Sequence, residues 1–152
     1  MRMTESHAAA LNPQDVIGSW HLVEWRVDYA DGRPTTWPFG PDAIGVLVYA
    51  SDGWMSATMS CRKRSQLSAP SALKADDASK ARAFQEYLAY SGRWEIVGRS
   101  IAHDVTMSMN PTLVGTRQWR EAEPSGDSLI LAADEALPGG AKRRHSIVWR
   151  RQ

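Results

Sequence analysis

The feature that most constrains this chain is a succession of eight strand-like runs, nearly all bounded by turn signals. The clearest pair is residues 43–50 and 54–60, which flank Ser51-Asp52-Gly53, a hairpin turn of the Asp-Gly type. Before it, residues 19–29 are rich in Trp, Val and Tyr and stop at Asp31-Gly32. After it come residues 93–97, 100–109, 114–121, 128–133 and 145–151. Gly98-Arg99, Asn110-Pro111, Ser125-Gly126-Asp127 and Pro138-Gly139-Gly140 punctuate them. Strands that follow one another through short turns pair antiparallel, as a meander. Eight of them closed on themselves leave an interior just wide enough for one small ligand. The expected fold is therefore all-β, an eight-stranded antiparallel barrel.

One helix interrupts the pattern. Over residues 76–90, Ala81, Phe84, Tyr87, Leu88 and Ser91 recur at spacings of three and four; Asp76 and Asp77 favour the N-terminal end, and Gly92 follows as a stop. Residues 61–75 are polar and read as loop. Residues 33–42 carry Pro34, Pro38, Gly40 and Pro41, a loop that Trp37 and Phe39 pin to the surface or fold over an opening. Asn12 to Gly18 has the chemistry of one helical turn, capped by Asn12 with Pro13 at its first position. Residues 1–11 read as a disordered lead, so the 152-residue chain is expected to hold a single domain over 12–152.

Charge narrows the partners. With 18 basic and 17 acidic side chains, neither nucleic acid nor an anionic membrane surface is expected as the main partner. No run approaches the roughly 18 apolar residues of a membrane span, and the first fifteen residues have no signal-peptide core. Cys61 is the single cysteine, so no internal disulfide can form and a cytoplasmic location is expected. His7, His21, His103 and His145 stand far apart, without Cys or carboxylate neighbours at ligand spacing. There is no Gly-rich phosphate loop and no Gly-x-Ser-x-Gly. No metal and no cofactor is expected.

Several pieces, in their order, resemble the bacterial and fungal lipocalin-like domain family. They are Gly18-Ser19-Trp20-His21-Leu22, Gly45-Val46-Leu47-Val48-Tyr49 running into Asp52-Gly53-Trp54-Met55-Ser56-Ala57, and Tyr90-Ser91-Gly92-Arg93-Trp94. His103-Asp104-Val105, Asn110-Pro111, Gly115-Thr116, Arg120, Gly126-Asp127-Ser128-Leu129 and Val148-Trp149-Arg150 continue the match, from about residue 16 to the end. The resemblance implies a lipocalin-like barrel with a cup for a small organic molecule. It also implies that Trp20 packs at the closed end under an arginine, for which Arg120 and Arg150 are the available partners.

His103 alternates with Ile101, Val105, Met107 and Met109, so a cavity wall would carry an imidazole among apolar neighbours. Such a histidine is more often a satisfied core residue than a catalyst. Tyr49, Tyr90, Trp94 and Trp119 offer apolar bodies with polar tips, Met107 an adaptable surface, and Arg120 a clamp for an anion; ordinary barrel packing is the plain alternative for each. Glu24 and Arg26 share the phase of Trp20, and a bulge that reverses the phase would leave Glu24 outside. The basic runs 62–64 and 142–144 read as surface, or as a rim that attracts an anionic ligand.

Two readings follow. The first is binding of a small, largely apolar organic molecule by Tyr49, Tyr90, Trp94, His103, Met107, Trp119 and Arg120. The second is a cofactor-free isomerase, cyclase or lyase acting on a secondary metabolite or aromatic catabolite, in which His103, with Glu24, moves a proton. A protein-interaction role for the 33–42 loop or the helix is a third, and oligomeric state, a homodimer included, stays open.

Overall fold

A computed structural model describes residues 9–152. The turn signals land where chain reversals occur. Gly53, at φ +92°, occupies the left-handed position that closes the hairpin between β2 (Ile44–Tyr49) and β3 (Trp54–Ser60). β1 (Gly18–Tyr29) precedes them. β4 (Tyr87–Val97), β5 (Ser100–Ser108), β6 (Arg117–Ser125), β7 (Ser128–Ala136) and β8 (Lys142–Arg151) follow. Each strand pairs antiparallel with the next, and β8 pairs back onto β1 to close the barrel.

The helix is shorter than its spacing predicts. α1 spans Asp77–Gln85, capped by the Asp76 side chain, which accepts from the Ser79 N–H at 2.8 Å. Tyr87 already belongs to β4, where Tyr87, Leu88 and Tyr90 pair with Ser60, Met59 and Ala57. Pairing with β3 wins those residues from a helix too short and exposed to hold them. Gly92, expected as the helix stop, lies within β4. β6 starts later than expected because the turn that follows the 3-10 segment Pro111–Leu113 continues through Gly115, at φ +81°, and the Thr116 N–H donates back to the Leu113 carbonyl at 3.1 Å. Of the expected lead, residues 1–8 fall outside the described residues. Leu11 is buried, and its N–H donates to the Gly98 carbonyl at 3.1 Å.

Two bulges set which side chains enter the barrel. In β1, Leu22 pairs with Trp149 and Glu24 with the adjacent Val148, so Val23 is an extra residue. Trp20 and Leu22 before it, and Trp25 and Val27 after it, all turn inward, while Glu24 and Arg26 turn out. In β5, Ser91 pairs with Met107 but Gly92 with Val105, making Thr106 extra.

The sealed end is built on Trp20, fully buried, whose Nε1 donates to the Val16 carbonyl at 2.9 Å. The arginine over its face is Arg151, 4.2 Å from the ring centroid. Neither expected partner fills that place. Arg150 points out because Trp149 and Arg151 hold the inward phase of β8, and Arg120 lies in the cavity.

Candidate functional site

The barrel encloses a cavity of about 560 Å³. Leu47, Ala57, Met59, Leu88, Leu113, Leu131 and Ile147 supply apolar wall, with the rings of Trp25 and Trp149. That volume is in the range of small-molecule sites, as is an apolar wall with few polar groups. One polar cluster is buried within it, and another stands where Asp134 and Glu135 are exposed.

The buried cluster centres on His103, 1% exposed. The Tyr49 hydroxyl lies 2.6 Å from Nε2 and the Tyr90 hydroxyl 2.8 Å from Nδ1. The register brings them together: β3 carries Ala57 opposite both Leu47 of β2 and Tyr90 of β4, while His103 faces Trp94 across β4 and β5. Burial, with Arg120's charge behind it, lowers the His103 pKa from 6.5 to about 3, so the ring is neutral at physiological pH. Burial raises both phenols; for Tyr90 the charge and hydrogen bonding of Arg120 offset part of the rise. Arg120 also donates through Nη1 to the Trp119 carbonyl at 2.8 Å. Trp149 Nε1 is buried without a hydrogen-bond partner.

At the more exposed cluster, Trp25 Nε1 donates to His145 Nδ1 at 3.2 Å, which leaves His145 Nε2 to donate to Glu135 at 2.8 Å. Arg143 reaches the same carboxylate at 2.7 Å. Arg143 and then His145 hold Glu135 down to a pKa of about 2. Trp25 in turn takes Phe39 edge-on, with ring centroids 5.1 Å apart, so the 33–42 loop is pinned beside the cavity wall.

Of the residues expected at the site, Tyr90, His103 and Arg120 line the cavity, and Tyr49 backs it through His103. Trp94 turns inward but packs on Tyr49, centroids 5.0 Å apart, and spends its Nε1 on the Ala50 carbonyl; it supports the cluster from outside the cavity. Further expectations are corrected. Met107 is 63% exposed because the extra Thr106 flips the alternation after Val105. Trp119 is 47% exposed, beneath Arg117 on the outer face, since neighbours on one strand face opposite ways and Arg120 takes the cavity side. Glu24 also lies outside the cavity, bonded by Trp37 Nε1 at 2.8 Å and Arg26.

Trp25, Gln118, His145 and Trp149 line the cavity without being among the expected site residues, and so does Arg143 of the basic run 142–144. The alternation Arg143, His145, Ile147, Trp149 along β8 was the available signal, anchored by the inward Trp149. Among the described residues no group of three or more His, Cys, Asp or Glu is placed to hold a metal ion, and no helix is long and apolar enough to cross a membrane.

A closed meander barrel with an apolar cavity and a few convergent polar groups belongs to the class that binds a small, largely apolar organic molecule inside the barrel. The chain matches the lipocalin-like domain over residues 17–152 and belongs to that family. It is also 34% identical over 88 residues to the 4'-hydroxy-3'-methoxypropiophenone carrier protein of Aspergillus oryzae, a match covering 52% of this chain and 79% of that protein. No solved structure matches the chain significantly.

Proposed function

We propose that this protein is a cytoplasmic carrier for a small aromatic molecule, with an aryl ketone bearing a phenol as the first candidate. The observation that carries the reading is the cavity itself: about 560 Å³, walled by Leu, Met, Ile and Trp side chains, with Tyr90, His103 and Arg120 converging at one place. A flat ring with an oxygen at one end matches that distribution of apolar and polar surface. The similarity to a named propiophenone carrier supports the choice of ligand. The single, unpaired Cys61 suits a reducing compartment.

The enzyme reading has less support. It needs His103 as an acid–base group, yet both its ring nitrogens are engaged by tyrosines and its pKa of about 3 is far from neutrality. Its proposed partner Glu24 does not line the cavity.

The test is a titration with 4'-hydroxy-3'-methoxypropiophenone, followed by quenching of tryptophan fluorescence and by calorimetry. Saturable one-to-one binding is expected, with the ligand recovered unchanged. Ala57→Phe, which fills wall space without adding a polar group, should weaken binding at least about tenfold. A folded protein that fails to bind the ketone, or binding indifferent to Ala57→Phe, would sink the proposal.

A further inference from the structure

The hydrogen bonds around His103 have a direction, and the direction identifies what the cavity offers a ligand. A neutral imidazole donates through one nitrogen and accepts through the other. Tyr49 is fully buried, and among the described residues its hydroxyl has no partner besides His103 Nε2. If Nε2 carried the proton, the Tyr49 hydroxyl hydrogen would be stranded in the core without an acceptor, which a buried polar group rarely tolerates. Tyr49 therefore donates to Nε2, and the ring proton sits on Nδ1. Nδ1 then donates to the oxygen of Tyr90. Tyr90 is left with its own O–H unspent, on a side chain that lines the cavity.

Arg120 stands beside it. Among the described residues no carboxylate forms an ion pair with Arg120, while the two acidic groups lining the same cavity are engaged: Asp134 by Arg144, Glu135 by Arg143 and His145. A hydroxyl hydrogen and a guanidinium thus converge on the cavity, and among the described residues neither is paired with a carboxylate. Together they favour an oxygen that carries charge, because hydrogen bonds to an ionised acceptor are about twice as strong as neutral ones.

We infer that Tyr90 and Arg120 form an oxyanion subsite that takes the phenolic oxygen of a small aromatic ligand in its deprotonated form. Tyr49 and His103 are positioning residues: they fix the donor direction of Tyr90 without touching the ligand. The inference rests on the reading of the cavity as a ligand site, but not on the propiophenone as its occupant.

The probes are para-nitrophenol, whose ionisation is read from its phenolate absorption band, and its methyl ether para-nitroanisole, which cannot ionise. They are added to the intact protein at a pH about one unit below the free phenol's own pKa. Bound nitrophenol should show the phenolate band and bind at least about tenfold more tightly than the ether, by fluorescence quenching. Tyr90→Phe and Arg120→Gln should each cut that preference at least about threefold and leave ether affinity within about twofold. Tyr49→Phe should shrink it too, and adding back a donor direction with His103→Gln, whose amide can accept from Tyr49 and donate to Tyr90, should preserve it. Equal affinity for phenol and ether, a bound phenol with a neutral spectrum, or failure of both to bind overturns the subsite, even if the propiophenone binds. Capture of ionised nitrophenol without binding of the propiophenone keeps the subsite and removes the proposed ligand.

Discussion

His103 is held uncharged between two phenols, and that places a pH dependence on the fold. In the unfolded chain its pKa returns to about 6.5, against about 3 in the barrel. Between those values the unfolded state binds a proton that the folded state refuses. Stability is therefore greatest above pH 6.5 and is lost as pH falls towards 3, by up to about 1.4 kcal/mol per pH unit from this residue. His103→Gln removes the titration but can keep both hydrogen bonds. Urea unfolding at pH 7, 5 and 4 should show a shallower loss for the variant than for the wild type; identical slopes would mean that His103 is not excluded from protonation. The nitrogen-15 spectrum of the wild type should report a protonated Nδ1 and a bare Nε2. Sequence alone marks His103 as the unusual residue of its strand. Its partners were visible as tyrosines but not as partners, since Tyr49 and Tyr90 lie 54 and 13 residues away and only the registers of four strands bring them in.

Among the elements, the period-2 pattern locates the strands, and the bulges decide which half of each strand faces the ligand. A bulge in β1 is legible because both phases of residues 19–29 carry apolar side chains, which a single uninterrupted phase cannot reconcile. The one in β5 is not, because Val105, Met107 and Met109 continue an apolar alternation past the point where the backbone breaks it. The signal that accompanies it sits on the neighbouring strand. A Cβ added at Gly92 would meet the Asp104 carbonyl oxygen at 1.8 Å, with the rest of that peptide close behind. Only glycine lets β4 pass the bulge at this distance. Gly92→Ala must displace backbone rather than a flexible side chain, so a loss of at least about 3 kcal/mol, or failure to fold, is expected by denaturant unfolding. Gly126→Ala meets no atom within 4 Å but sits at φ +58°, and should cost only about 1 kcal/mol. Should the two variants be equally stable, the close approach at Gly92 is not what the strand pairing depends on.

For the molecule as a whole, closure and binding are built from different residues. The β1–β8 seam joins the first strand to the last, and Arg151 lies at its end, opposite Trp20. Its guanidinium covers the Trp20 ring and donates to the carbonyls of Gln14, Asp15 and Ile17, so the last strand holds down the turn that seals the barrel. None of these residues lines the cavity. Arg151→Met keeps an apolar stem over the ring and removes the planar fork, a loss of about 2–3 kcal/mol from the stacking and the charged hydrogen bonds together. At about 2–4 °C per kcal/mol for a chain of this size, the Tm should fall by roughly 4–12 °C. Affinity for the propiophenone should stay within about twofold, because the wall, Tyr90 and Arg120 are untouched. Saturating ligand should then raise the Tm of variant and wild type by similar amounts, since its stabilisation depends only on concentration relative to Kd. Thermal melts with and without ligand, beside a binding titration, separate the two effects. If affinity fell in step with stability, the sealed end and the cavity would be one cooperative unit, and the division drawn between the arginine that closes the barrel and the arginine that faces its guest would not hold.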